Sequence, residues 1–431
     1  MSTEHIWSPR YETLGRTELA QLQLERLQAT INRASRHVPF YNRRLEELGL
    51  EPEDFQSPAD LGRLPFTTKE DLRASYPYDM VAVPLREVVR FHLSSGTTGA
   101  PTVIAYTAND LAHWTDLVAR NLAAAGVGRD DVVQIFFGYG LFSGGFGLHQ
   151  GAEALGASVI PVSSLELQQQ LQIMQDFRST VLVGLPSYAL TLAQELERSE
   201  LDPKGLSLRI GLFGAEPWSE KTRKEIEARL NLEAFDIYGL SEMGGPGVSG
   251  ECQYHSGLHL AEDHFLIEVL DPVTGIPVAE GEEGELVFTS LTREALPLIR
   301  YRSGDLSRIT TEPCKCGRTS ARMERVSRRI DDMLIVHGIN VFPEDIAAVL
   351  KGFTELGNDY QLVAERQEGL DVLEVRAELV ELPSDVRAMH QLVGERLEQA
   401  LGFEVRIALV EPGSLGAGSA GFKRAVDKRD N

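Results

Sequence analysis

The sequence has few cysteines, no long apolar run and fewer basic than acidic residues. Three cysteines among 431 residues are an odd number and too few for a disulfide scaffold of this size. No run approaches the roughly 20 apolar residues that span a bilayer, and the first residues contain no apolar signal core. Acidic residues outnumber basic ones 64 to 42, giving a net charge of −22. This balance argues against a nucleic-acid partner or an anionic membrane partner. Because the sequence shows neither a signal core nor a spanning run, we expect a cytoplasmic protein.

Short apolar runs alternate with helical patterns over the middle of the chain. Residues 132–137 and 180–184 predict buried strands, and residues 107–126 predict a helix. This alternation is typical of α/β units with ligands at the carboxyl ends of the strands. We predict an α/β fold with a large N-terminal domain, residues 1–330, of mixed, largely parallel sheets flanked by helices. A small mobile α+β lid is predicted for residues 331–431.

Residues 94–99, SSGTTG, combine glycines with hydroxyl side chains just before a β-rich segment. The spacing does not match a Walker loop. Glycines nevertheless allow close backbone approach to phosphate, and the hydroxyl groups supply hydrogen-bond donors. Taken alone, the pattern fits a surface turn as well as a phosphate-binding loop.

Further motifs give this loop a context. They are YGLSE at 238–242, YRSGD at 301–305 and RRIDDMLIVHGINVFPEDI at 328–346, in that order after SSGTTG. Together they resemble the motif series of acyl-adenylate-forming enzymes, and the sequence is most similar to the phenylacetate–CoA ligases and related aryl–CoA ligases. Segments such as FGAEPW at 213–218 extend the resemblance over nearly the whole chain.

The resemblance implies a reaction in two halves. A carboxylate attacks the α-phosphate of ATP to give an acyl-adenylate and pyrophosphate, and the thiol of CoA then displaces AMP to leave a thioester. Positioning and charge stabilisation should carry most of this catalysis.

The resemblance also implies a nucleotide site. Ser241 would contact the α-phosphate, and Glu242 would hold Mg²⁺, which prefers oxygen ligands. Asp305 would accept hydrogen bonds from the ribose hydroxyls, because an ionised carboxylate is purely an acceptor. The phosphate loop and the adenine wall, with Tyr238 stacking on the base, would comprise Ser94, Ser95, Gly96, Thr97, Thr98, Gly99, Ala215, Glu216, Pro217, Asp236, Ile237 and Tyr238. Lys69 is interpreted as a solvated residue at a helix start, with a phosphate contact as the alternative.

The junction and the C-terminus carry two further assignments from the resemblance. Arg329 would contact the ribose or phosphate region, and Asp331 would be the hinge of the lid. The family's usual GRxDD has Arg328 in place of its glycine here. Aligning Phe422-Lys423 makes Lys423 the adenylation lysine, whereas aligning the trailing VDKR puts Gly421 in its place. We favour Lys423, a flexible point charge that reaches the reacting groups only in one lid pose.

An aryl pocket is predicted from the segment GYGLFSGGFG. Its candidate residues are Tyr139, Phe142, Gly144, Gly145 and Phe146, with residues 186–188 opposite. Glycines flanked by aromatic rings could admit a flat ring. Ordinary core packing is the alternative for each residue.

All three cysteines fall in two nearby motifs. Cys252, Cys314 and Cys316 with His259 would complete a structural Zn²⁺ shell of three thiolates and one imidazole. Some relatives carry this pattern, and His259 resembles their ligand better than His255 does. Free thiols are the alternative.

We therefore predict an AMP-forming aryl–CoA ligase, homodimeric by resemblance, that uses ATP, Mg²⁺, CoA and an acid of the phenylacetate, benzoate or anthranilate type. One alternative is an adenylating enzyme that passes the acyl or adenylyl group to an amine or a carrier protein. The other is a nucleotide-binding homologue that has lost catalysis.

Overall fold

The computed structural model describes residues 5–94, 101–141, 143–163, 165–367, 370–380, 385–416 and 422–429. The helices are α1 Pro9–Glu12, α2 Arg16–His37, α3 Pro39–Leu48, α4 Lys69–Ala74, α5 Ala108–Ala124, α6 Gly144–Ala154, α7 Leu167–Asp176, α8 Pro186–Arg198, α9 Glu220–Leu230, α10 Pro343–Leu350 and α11 Val386–Leu401. Within these residues, no helix combines the length and apolar character that crossing a membrane requires.

The strands form two regions, with β1 to β15 before residue 330 and β16 to β21 after it. They are β1 Arg90–Ser94, β2 Thr102–Tyr106, β3 Val132–Ile135, β4 Ser158–Ile160, β5 Val181–Gly184, β6 Ile210–Gly214, β7 Glu233–Leu240, β8 Gly245–Glu251, β9 Leu258–Leu260, β10 Phe265–Leu270, β11 Gly284–Ser290, β12 Tyr301–Ser307, β13 Ile309–Thr310, β14 Arg322–Met323, β15 Arg328–Arg329, β16 Leu334–Val336, β17 Ile339–Val341, β18 Leu356–Gln367, β19 Leu370–Leu379, β20 Arg406–Val410 and β21 Ala425–Asp427.

The largest sheet runs in the order β13-β14-β9-β8-β7-β6-β5-β3-β4. Strands β4, β3, β5, β6 and β7 pair in parallel, and β7 onwards is antiparallel. Every residue of β5 and β6 is buried, as expected of parallel strands covered by helices on both faces. The sequence shows this as short continuous apolar runs. The predicted fold class, with mixed and partly parallel sheets flanked by helices, is therefore confirmed.

A second sheet, β10-β11-β12-β15, is antiparallel and lies beside the cleft described below. Its last pairing sets Asp305 on β12 opposite Arg329 on β15. The register thus joins two of the residues that the sequence assigned to the nucleotide site.

The C-terminal region has its own sheet, β20-β19-β18-β21, and a separate hairpin, β16–β17. Its hydrophobic core is a cluster of its own, built from residues such as Leu362, Val375, Val393 and Leu397. Two other large apolar clusters fill the region before residue 330. The boundary at residues 330 and 331 stays a prediction, which this division of the cores supports.

Candidate active site

A cleft lies where the carboxyl ends of β6 and β7 meet the β10-β11-β12-β15 sheet and the C-terminal region. It is lined from the large sheet by residues 214–218 and 236–242, and from the other side by Tyr301, Asp305 and Arg329. Ile335, Gly338 and Phe342 of the C-terminal region close it. The location agrees with the rule that α/β proteins bind ligands at the carboxyl ends of their strands.

Three polar side chains meet at one wall of the cleft. The Tyr238 hydroxyl donates to Asp305 Oδ2 at 2.6 Å, and the Arg329 guanidinium pairs with Asp305 Oδ1. Arg329 also donates to both carboxylate oxygens of Asp331, at 2.9 and 2.7 Å. Burial raises the pKa of Asp305, and the neighbouring Arg329 opposes that rise. A carboxyl group held by two partners therefore lies where the sequence predicted the ribose contact.

The glycine of YRSGD is explained by this network. Gly304 has φ +76, and a Cβ there would lie 2.7 Å from Arg329 Nη2. Arg329 Nη2 donates to the Ser303 carbonyl oxygen at 2.9 Å. A side chain at position 304 would therefore displace the Arg329 guanidinium, and glycine avoids this clash at a positive φ.

Ser241 and Glu242 occupy a 3₁₀ turn, Ser241–Met243, directly after β7. Glu242 is buried, and both side chains line the cleft. The Ser241 hydroxyl lies 3.3 Å from the Ser143 hydroxyl at the start of α6. The turn thus directs a hydroxyl and a carboxylate into the same space.

The interpretation of Lys69 as a solvated residue is wrong. Lys69 begins α4 but lines the cleft, and its Nζ lies 4.1 Å from the centroid of the Phe342 ring. Burial lowers its pKa, while the charge of Glu242 opposes that change. The sequence signal, a lysine just after a Thr N-cap, did not distinguish the two environments.

Most of the residues predicted to bind the phosphates and the adenine lie together. Ser94, Ala215, Glu216, Pro217, Asp236, Ile237 and Tyr238 all line the cleft. Residues 95–99 of the predicted phosphate loop lie outside the described residues. Ala215 has φ +64, which turns the chain sharply between β6 and α9. The roles of these residues stay predictions.

A buried ion-pair network lies behind Asp236, and sequence reasoning missed it. Arg223 Nη2 donates to both Glu251 carboxylate oxygens at 2.7 Å, and Glu251 Oε2 accepts from the Asp236 backbone at 2.8 Å. Burial and the charge of Glu251 raise the pKa of Asp236 to about 7. Arg325 Nε, 3.1 Å from Asp236 Oδ2, opposes that rise. These charges lie far apart in sequence, and no motif joins them.

The predicted aryl-pocket residues are not all at the cleft. Gly144 lines it together with Ser143 and Leu148, and Gly145 is buried beside them. The Tyr139 hydroxyl lies 3.2 Å from His149 Nδ1, and its ring packs edge-on against Phe146 at 5.3 Å. The cleft lining among the described residues contains neither Tyr139 nor Phe146. Phe142 falls outside the described residues.

Lys423 is exposed and precedes β21. Its carbonyl oxygen accepts from Gln361 Nε2 at 2.9 Å on β18. In the part of the chain that the structure describes, Lys423 does not line the cleft. Asp331 therefore lies beside the cleft, bound to Arg329. Lys423 does not face the cleft in this arrangement.

The four predicted zinc ligands converge. One donor atom from each of Cys252, His259, Cys314 and Cys316 lies within 4.8 Å of the others. Cys316 Sγ is 3.3 Å from His259 Nε2, and the other ring nitrogen of His259 is 3.1 Å from Ser320 Oγ. Three cysteines and an oriented histidine have the composition of a closed Zn²⁺ shell. His255 instead contacts Arg223, Glu251 and Glu233.

Comparison with known proteins agrees with this geometry. Residues 20–292 match the family model "AMP-binding enzyme", and residues 338–429 match "AMP-binding enzyme C-terminal domain". A phenylacetate-coenzyme A ligase of Thermus thermophilus is 44% identical over 443 residues, covering 98% of this chain and 100% of that protein. The chain belongs to the phenylacetate–CoA ligase family of AMP-binding enzymes. Membership confirms the expected enzyme class, an AMP-forming acid–thiol ligase.

Solved structures of one family relative show two arrangements. A 2-hydroxyisobutyryl-CoA ligase with 2-HIB-AMP and CoA, in its thioesterification state, is 30% identical and has a TM-score of 0.92. That alignment covers 100% of this chain and 94% of the other. The same ligase in its postadenylation state, 29% identical with the same coverage, has a TM-score of 0.74. The described arrangement is therefore nearer to the first of these structures.

Proposed function

We propose that this ligase adenylates an aryl carboxylic acid with ATP and transfers the acyl group to CoA. The observation that carries the proposal is the single cleft that Asp305, Ser241, Glu242 and Lys69 share beside Gly144. The residues proposed to bind the ribose, the phosphates and Mg²⁺ thus line one space together with Gly144. This is the geometry that attack of a carboxylate on an α-phosphate needs.

Each side chain has a distinct part in the proposed first half-reaction. Ser94 and the loop to Gly99 bind the β- and γ-phosphates, while Ser241 donates to the α-phosphate. Glu242 holds Mg²⁺, which supplies Lewis-acid charge stabilisation when bound. Lys69 adds a positive charge on the same side of the cleft, where desolvation strengthens its attraction for phosphate.

We propose that the described arrangement is the one that forms the thioester. The higher TM-score to a thioesterification state supports this, as does the exposed position of Lys423. Rotation of residues 331–431 about Asp331 would bring Lys423 to the reacting carboxylate and α-phosphate for adenylation. The separate core of the C-terminal region suits such a rigid rotation.

The acid is tested by pyrophosphate release with ATP and Mg²⁺ across phenylacetate, benzoate, anthranilate and short aliphatic acids, with and without CoA. We expect a burst without CoA and sustained formation of AMP and thioester with it. Phenylacetate is the first candidate because curated relatives carry its name. Turnover that does not depend on CoA would favour an amine or carrier protein as the acceptor. Absence of turnover with every acid would contradict the proposal.

We also propose that Cys252, His259, Cys314 and Cys316 bind Zn²⁺. Its role would be structural, because four protein ligands leave no position for a substrate. The enzyme is further proposed to be a cytoplasmic homodimer.

Replacing Cys314 with serine is expected to lower both the zinc content and the melting temperature of the purified protein. The substitution removes a thiolate ligand from a site that joins β8 and β9 to the loop at 314–317. Elemental analysis and differential scanning calorimetry measure the two effects. Lys315→Ala, at the exposed neighbouring residue, is the matched control. Stability and metal content equal to wild type would contradict a zinc site.

A further inference from the structure

The carboxylate of Glu216 joins the N-terminal region, called the core below, to the C-terminal region, called the lid. Glu216 is 7% exposed and lies in the loop between β6 and α9. Its Oε2 accepts from the Ser187 backbone at 3.2 Å, and its Oε1 accepts from the Gly338 backbone at 3.2 Å. Ser187 belongs to the core and Gly338 to the lid, so one side chain bridges the two.

Both donors are backbone groups that the local structure leaves available. Ser187 is the second residue of α8, after Pro186, and the first N–H groups of a helix have no partner within it. Gly338 follows His337 in the turn between β16 and β17, and these residues have φ +73 and +53. A Cβ at Gly338 would lie 3.0 Å from Leu185 Cδ1. The lid hairpin therefore docks its glycine directly on the start of α8.

The lid also supplies the charges around this contact. Asp371 on β19 is fully buried and pairs with Arg429 at 2.7 Å. Arg429 donates in addition to the Ile335 carbonyl oxygen at 2.7 Å, which ties the hairpin to the lid sheet. Burial and the charge of Asp371 raise the pKa of Glu216, whereas the hydrogen bond from Ser187 and the charge of Arg429 oppose the rise. A carboxylate buried in this way depends on its two donors.

We infer that Glu216 is a positioning residue for thioester formation, holding the lid hairpin against α8 in the arrangement that admits CoA. This inference rests on the proposed function and on rotation of the lid about Asp331. Gly338 moves with the lid in that rotation, and Glu216 then keeps only its bond from Ser187. An interaction present in one arrangement alone shifts the population towards that arrangement. Glu216, which was predicted for the adenine wall, thus acts on the second half-reaction through the carboxylate oxygen that binds Gly338.

Glu216→Gln tests the inference, because glutamine has one acceptor oxygen for two N–H donors and no charge. Two rates are measured: pyrophosphate release from ATP and phenylacetate without CoA, and thioester formation from supplied phenylacetyl-adenylate and CoA. The ratio of the second rate to the first is expected to fall about 10- to 100-fold, the range for loss of a hydrogen bond to a charged group. Hydrogen–deuterium exchange in residues 334–341 is expected to quicken while the lid core stays protected.

Glu227→Gln is the matched control. Its carboxylate accepts from the Ala234 backbone at 3.1 Å within the core, away from the lid, so neither the ratio nor the exchange should change. An equal fall in both half-reactions of Glu216→Gln would assign the residue to nucleotide binding and overturn the inference. An unchanged ratio would overturn it as well. If wild type acts on none of these substrates, the proposed function fails. Unchanged hydrogen–deuterium exchange in residues 334–341 would separately show that Glu216 does not hold the lid hairpin, and would overturn the inference.

Discussion

Replacing Lys423 with alanine is expected to slow pyrophosphate release by about 100- to 1,000-fold, the usual loss when one charge-stabilising group is removed. Thioester formation from supplied acyl-adenylate should stay close to the wild-type rate. The reason is that Lys423 is exposed and away from the cleft in the arrangement assigned to the second half-reaction. Single-turnover assays of the two half-reactions measure this split.

Lys428→Ala is the control for that experiment. Lys428 follows the same strand, β21, is exposed, and pairs with Glu365 at 2.9 Å, so its loss should affect neither half-reaction. Full pyrophosphate release by Lys423→Ala would favour the alternative alignment, in which Gly421 occupies the position of the lysine. Equal loss in both half-reactions would contradict the role assigned to Lys423.

Replacing Arg223 with alanine is expected to lower the free energy of unfolding by about 3–5 kcal/mol, the cost of breaking a buried ion pair by removing one partner. The side chains of Arg223 and Glu251 are each 4% exposed. Without Arg223, the carboxylate of Glu251 stays buried beside Asp236 and loses the guanidinium that donates to both of its oxygens. Chemical denaturation followed by circular dichroism measures the loss.

Arg229→Ala on the same helix is the matched control. Arg229 pairs with Glu197 and Glu225, whose side chains are 60% and 48% exposed, and such pairs contribute about 1 kcal/mol or less. The double variant Arg223→Met/Glu251→Leu should recover part of the stability, because no unpaired charge is left buried. A loss no larger than that of Arg229→Ala would contradict the assigned importance of the pair.

The fold class and the site motifs could be predicted because each depends on short-range pattern. Buried parallel strands are short apolar runs, and YGLSE and YRSGD are continuous segments whose backbone turn fixes where the side chains point. Asp305 and Arg329 are separated in sequence, yet both were found because each belongs to a motif of its own. Convergence of the cysteines with His259 was foreseeable for the same reason.

What the sequence did not reveal depends on long-range pairing or on side-chain direction. Arg223 and Glu251 carry no motif, and only the approach of α9 to β8 makes them partners. Lys69 follows an N-cap, a position that is solvated in most helices, and it is the nearby Phe342 that gives it another environment. Glu216 was assigned by its place in FGAEPW, but the direction of its carboxylate depends on the docked lid.

The separate hydrophobic interior of the lid has a mechanical consequence. Because these apolar side chains form a cluster of their own, the proposed rotation would move the region as one lever, with Asp331 as its fulcrum, without repacking its interior. Lys423 and the Gly338 turn belong to this one body and would move together. The proposed rotation would therefore withdraw the Gly338 turn from α8 as it carries Lys423 towards the cleft. Substitutions near the fulcrum should consequently change the timing between the two half-reactions more than the chemistry of either.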